Sequence, residues 1–167
     1  MAYAVSKEKK REAITEMITE LCVSGVNAIV KSEERLQQIR SLFDLDGITV
    51  FSDRGNRLVC RNGNYMAEAP DGRPGFEDEG YPSLSGDADI FVESNMIKLR
   101  SQNPAAYAVA QEQEIGAALQ CLSRKEGIPY TMVNFEVFNR NRKWSDEDVT
   151  LLTLLGHCIG DLLNYSE

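Results

Sequence analysis

Four cysteines, Cys22, Cys60, Cys121 and Cys158, and a single histidine, His157, are the residues here best suited to nucleophilic, redox or metal chemistry. A structural metal needs ligands at short, repeated spacing. The cysteines are widely separated, form no CxxC pair and have no histidine pair near them, so no metal ligand is assigned. His157 and Cys158 are adjacent, but the helical wheel turns His157 away from the apolar stripe, toward solvent or a partner helix. Cys60 and Cys121 fall within predicted strands, where a thiol behaves as a small apolar group and not as the thiolate a nucleophile requires. No residue is assigned a catalytic role.

The stretch YTMVNFEVF (130–138) has a different chemical character. As a strand it places Thr131, Val133, Phe135 and Val137 on one face, and Tyr130, Met132, Asn134, Glu136 and Phe138 on the other. The first face suits burial under helices, where an unpaired carboxylate would be costly. The second carries an amide and a carboxylate among apolar groups, which is how small-molecule pockets are walled. Asn134 and Glu136, with Tyr130 and Met132 on the same face, are therefore the candidate ligand contacts. Tyr107, near the variable segment 62–111, is a fifth. The same pattern also fits a polar sheet face open to water.

The elements that must position these residues can be read from periodicity. A helical pattern starts at Ser6, with Ile14, Met17, Ile18, Leu21 and Cys22 on one stripe, softens at Ser24-Gly25 and resumes through Val30. Ser32 is placed to cap a second helix that buries Leu36, Ile39, Leu42 and Phe43. Strands are predicted over 47–52 and 56–61, joined by a short turn, and over 88–92. Residues 62–87 read as a long acidic loop rich in glycine and proline. Ser94 is placed to cap a short helix through Arg100, and 105–111 is ambiguous between helix and strand. Strands over 115–123 and 128–138 flank a turn at 124–127. A last helix starts at Ser145, with Asp148 completing a capping box and Trp144 placed as a staple. Helices, then antiparallel hairpins, then a helix make the class α+β.

That last helix is too apolar for one core. Leu152, Leu155, Gly156, Ile159 and Leu163 form one face, and Leu151, Leu154, Cys158 and Leu162 widen it beyond the usual ~100° stripe. A second partner is needed, and the N-terminal helix can supply it.

The chain of 167 residues is long enough for one domain that buries roughly 70% of its unfolded surface without disulfide or metal. A net charge of −8 argues against nucleic acid and anionic membrane as partners. No apolar run approaches the ~18 residues of a membrane span, and no signal peptide is visible, so the expected location is the cytoplasm.

The segments LFDLDGITVFSDRGNRL (42–58) and EGIPYTMVNFEVFNRNRKWSDEDVTLLTLLGHCIGDLL (126–163) resemble the GAF domain family. There a strand hairpin is followed by a loop, an aromatic, a Ser-acid cap and a leucine-rich helix. The RKWS variant is similar to GAF domains upstream of bacterial diguanylate cyclase modules, although no GGDEF stretch occurs here. The resemblance implies a central antiparallel sheet of about five to six strands, with the N- and C-terminal helices on one face. On the other it implies a pocket under the variable segment. It also implies an N-terminal signalling or dimerisation helix (1–34), a sensor domain (35–167), a homodimer through the terminal helices, and an output domain after Glu167. The expected function is a non-catalytic sensor for an unidentified small molecule, linked to cyclic-di-GMP signalling. The alternatives are a redox enzyme of the free-methionine-sulfoxide-reductase type, or a ligand-free dimerisation module. The cofactor is left unassigned. The cyclic-nucleotide signature is absent, DADIF (87–91) lacks the proline of the bilin motif, and His157 is not placed for haem.

Overall fold

The computed structural model describes residues 2–25, 27–52, 55–67 and 89–166. The first helix, α1 (Ala2–Ser24), ends at Gly25, whose φ of +66° favours glycine and whose N–H bonds to the Leu21 carbonyl at 2.8 Å. A single turn, α2 (Asn27–Val30), leads to α3 (Glu33–Leu42). Ser32 does not cap α3 as expected. Its buried hydroxyl donates back to the Ala28 carbonyl, and the start of α3 is favoured instead by Glu33 and Glu34 in its first turn.

The strands are β1 (Gly47–Ser52), β2 (Gly55–Arg61), β3 (Asn64–Ala67), β4 (Ile90–Glu93), β5 (Ile115–Lys125) and β6 (Ile128–Phe138). Among the described residues they form one antiparallel sheet in the order β3-β2-β1-β6-β5-β4. β3 corrects the expectation that a loop begins at residue 62. Asn62-Gly63 is a two-residue hairpin turn, with Gly63 at φ +74° and Arg61 paired to Asn64. An Asn-Gly pair is a strong hairpin signal, and it was there to be read. The 105–111 ambiguity resolves as helix. A 3-10 turn (Met96–Lys98) runs into α4 (Leu99–Gln102), followed by α5 (Pro104–Glu112). Asn95, not Ser94, caps the first of these by accepting from the Ile97 N–H at 3.1 Å, and Asn103 caps α5 through Ala106 at 3.2 Å.

The helix α6 (Asp146–Ser166) begins as predicted, with the Asp148 N–H donating to Ser145 Oγ at 3.1 Å. The Asp148 carboxylate does not close the box. It is held by Lys10 and Arg142, each at 3.0 Å. Arg142 also donates to the Phe43 and Asp44 carbonyls and stacks on Trp144, whose indole N–H reaches the Glu93 carbonyl at 3.0 Å. One guanidinium thus ties α6 to the end of α3, and Lys10 brings α1 to the same carboxylate, although burial pulls the Arg142 pKa below the ordinary arginine value.

One face of the sheet and the helices α1, α3 and α6 enclose a single core. It holds Val133, Phe135 and Val137 of β6 with Leu152, Leu155, Ile159 and Leu163 of α6, and Ile14, Met17 and Leu21 of α1. Helix α6 lies very close to the sheet. A Cβ at Gly156 would fall 2.8 Å from Cys121 Sγ, and one at Gly160 only 2.2 Å from Ser123 Oγ. The second apolar side of α6 has a partner within the chain, because α1 packs along it. Leu151, Cys158 and Leu162 are half-buried there, while Leu154 remains 56% exposed. No described helix is long and apolar enough to cross a membrane.

Candidate functional site

The alternation of β6 holds. Thr131, Val133, Phe135 and Val137 lie under the terminal helices, where the Thr131 hydroxyl bonds Asn164 of α6 at 2.6 Å. Met132, Asn134 and Glu136 therefore share the opposite face. Asn134 is directly paired with Thr49 of β1 on one side and Gln120 of β5 on the other, so three polar side chains form a row across the central strands. All three are at most 1% exposed. Among the described residues, neither the nitrogen nor the oxygen of the Asn134 amide has a hydrogen-bond partner, and nor does Thr49 Oγ1. Such groups cost about 1–3 kcal/mol each when left unsatisfied, and proteins rarely keep two side by side without a use.

The next row on this face is charged. Gly47 stands between Arg61 of β2 and Glu136 of β6. A Cβ on residue 47 would lie 2.8 Å from Glu136 Oε1, so glycine opens the channel through which Arg61 Nη2 approaches that oxygen, at 3.6 Å. The Arg61 guanidinium also lies over the Phe138 ring, 5.1 Å from its centre. Glu136 is fully buried. Arg57, at the irregularity where β1 and β2 slip register, is a buried cation nearby in sequence, whereas Arg61 is half-buried.

A second, smaller core flanks these rows. Met96, Leu99, Ala106 and Ala110 pack on Phe51, Ala118, Leu122 and Met132, so the 3-10 turn, α4 and α5 cover one side of the polar face. The glycine- and proline-rich acidic stretch expected to cover the rest falls within 68–88, outside the described residues.

Of the five predicted contacts, the structure brings Met132, Asn134 and Glu136 together. Met132 acts as packing for the second core. Tyr107 packs against the same core and lines a separate open groove of about 380 Å³ with Asn95, Gln111, Glu114 and Asn139. Tyr130 is at the other end of β6, roughly 20 Å along the strand from Glu136, with the Lys125 ammonium 4.9 Å from its ring centre. Sequence reasoning missed Thr49, Gln120, Gly47 and Arg61. The signal was the same alternation applied to GITVF and AALQCL, in each of which one polar residue stands alone among apolar neighbours.

The two core thiols, Cys60 and Cys121, are not arranged for attack. Burial pushes Cys60 up to about 11, opposed by the charge of Arg40, and pushes Cys121 up to about 12. Among the described residues no group of three or more His, Cys, Asp or Glu side chains is placed to hold a metal ion.

No protein-family model and no curated protein matches the sequence. Solved structures do match in fold. The chromophore-binding domain of the bacteriophytochrome RpBphP3 from R. palustris superposes with a TM-score of 0.64 at 12% identity, covering 93% of this chain and 62% of that one. GAF3 from Slr1393 of Synechocystis sp. PCC6803, in its photoproduct state, gives 0.53 at 11% identity over 84% of this chain and 94% of that one. The free methionine-R-sulfoxide reductase from Neisseria meningitidis, in complex with its substrate, gives 0.57 at 9% identity over 95% and 88%. The chain therefore has a GAF-like fold, one that photoreceptor domains and a reductase share.

Proposed function

We propose that this chain is a non-catalytic sensor domain that binds a small, planar, polar molecule against the β1-β6-β5 face. The observation that carries the proposal is the Asn134 amide, 1% exposed with both ends unbonded, beside the equally unbonded Thr49 hydroxyl. An amide offers a donor next to an acceptor. Its complement is a ring edge that presents an acceptor next to a donor, as lactam-type heterocycles do. Glu136 and Arg61 flank the position and select for polarity at one end of such a ligand. One of the superposed structures is a chromophore-binding domain, which favours a ligand-binding use of the fold.

The enzyme alternative has a structural counterpart in the Neisseria reductase. The raised ionisation of Cys60 and Cys121 favours the sensor instead, because each is held as a thiol in a packed core. A homodimer through α1 and α6 is part of the proposal and is supported by two exposed apolar residues, Leu154 on α6 and Val23 on α1. An output module after Glu167 and a link to cyclic-di-GMP rest on the sequence resemblance.

Native mass spectrometry after incubation with a metabolite pool tests the ligand. The wild type is expected to retain one adduct that Asn134→Leu loses. In the same variant the unfolding free energy from urea titration stays level or rises by up to ~1 kcal/mol, since an unsatisfied amide is replaced by an apolar group of similar volume. An adduct retained in full by Asn134→Leu would place the ligand elsewhere.

A further inference from the structure

The ion pair between Arg11 of α1 and Glu147 of α6, at 2.7 Å, fixes the register of the two helices, with Lys7 reaching the same carboxylate at 2.6 Å. Eleven residues further along each helix are three turns plus about 20°, so position 22 lies on the face of Arg11 and position 158 on the face of Glu147. Each carries a cysteine. With the ion pair at one end and Cys22 within hydrogen-bond reach of Cys158 eleven residues on, the helices run side by side in parallel, and the two thiols are neighbours about 16 Å beyond the ion pair. Cys22 is exposed and Cys158 half-buried, whereas Cys60 and Cys121 are sealed in the core.

We propose that Cys22 and Cys158 form a reversible disulfide that locks α1 to α6 when the protein meets a peroxide. The exposed Cys22 is the attacking sulfur. Its thiolate bonds to one oxygen of hydrogen peroxide, the O–O bond breaks, and the second oxygen leaves as water after taking a proton. Cys22 is then a sulfenic acid. The Cys158 sulfur attacks Cys22 Sγ, the S–O bond breaks, and hydroxide leaves with the Cys158 proton as a second water. The two thiols lose two electrons and two protons, and the peroxide becomes two waters. A dithiol reductant reverses the bond.

The ionisation of Cys158 agrees with this placement, since it is pushed up to about 11 by burial first, and then by the charge and hydrogen bonding of Cys22 beside it. Cys158 therefore stays a thiol until Cys22 has been oxidised, which suits a resolving and not an attacking role. The bond closes most of the chain into one loop and spans the pair of helices that frames the domain.

The test treats the full chain with hydrogen peroxide at neutral pH, quenches it with an alkylating agent and maps disulfides by peptide mass spectrometry. The expected product is a Cys22–Cys158 linked peptide from a monomer-sized band, lost on adding dithiothreitol. Cys60 and Cys121 should be alkylated only after denaturation. The oxidised protein should melt roughly 10 °C higher than the reduced one. Cys158→Ser, which keeps a small side chain at a half-buried site, should yield no intrachain link and a Cys22 sulfenic acid trapped by dimedone. Cys22–Cys22 linked dimers as the main product would overturn the proposal. So would conversion of wild-type Cys22 to its sulfonic acid with no link to Cys158.

Discussion

Asn134 shows how far a single residue can be read. Its face followed from strand alternation alone, and so did its company with Met132 and Glu136. Burial did not follow, because it depends on what lies over the sheet, and no local pattern encodes that. Thr49 and Gln120 were hidden for a related reason: cross-strand pairing joins residues 49, 134 and 120, and only the sheet order reveals them as neighbours. The buried cysteines allow a prediction at this scale. Cys60 and Cys121 titrate at about 11 and about 12 when folded, against an ordinary value of 9.0. A raised folded pKa gives stability that is complete below pH 9 and is lost as pH rises through the folded value, since the unfolded chain releases its proton first. Tyr65, whose hydroxyl donates to the Ile29 carbonyl at 2.6 Å, is raised by burial and adds the same sign further into alkali. Urea unfolding at pH 8 and pH 10.5 should show a fall of roughly 2 kcal/mol for each of the two thiols. Cys121→Ala should show a smaller fall, and equal falls in variant and wild type would contradict the assignment.

At the scale of elements, periodicity located the strands and helices that carry strong patterns, β1, β6 and α6 above all. Errors gathered at ends and turns. Ser32 and Ser94 were both placed as caps, and neither side chain caps its helix: the Ser32 hydroxyl turns back to the Ala28 carbonyl, and Asn95 caps the 3-10 turn. Capping depends on backbone angles that composition specifies weakly. The glycines of α6 are the opposite case, since their purpose appears only against the sheet. Alanine normally improves a helix by about 1 kcal/mol over glycine. At position 160 the added methyl would meet Ser123 Oγ at 2.2 Å and its Cβ at 2.8 Å. Gly160→Ala should therefore destabilise the protein by roughly 1–3 kcal/mol, the usual cost of overpacking. An increase in the thermal midpoint would mean that α6 is free to move off β5 and β6.

For the whole molecule, the α+β class, the helix-covered face and the polar opposite face were legible, because each rests on alternation or order along the chain. The width of the apolar surface on α6 suggested contact with another chain, and α1 of the same chain meets part of that need. Leu154, at 56% exposure, is what remains for contact between copies. Leu154→Glu should shift sedimentation from dimer to monomer with the melting point nearly unchanged, and a wild type that sediments as a monomer at all concentrations would remove the dimer from the account. The central claim is that a small molecule seats on the β1-β6-β5 face and is felt by the terminal helices. Hydrogen exchange with and without a ligand retained in the native mass spectrum tests it most directly. The account predicts slower exchange in β6 and across 89–111, together with changed exchange in α1 and α6. Unchanged exchange in β6 and 89–111 under saturating ligand would contradict it.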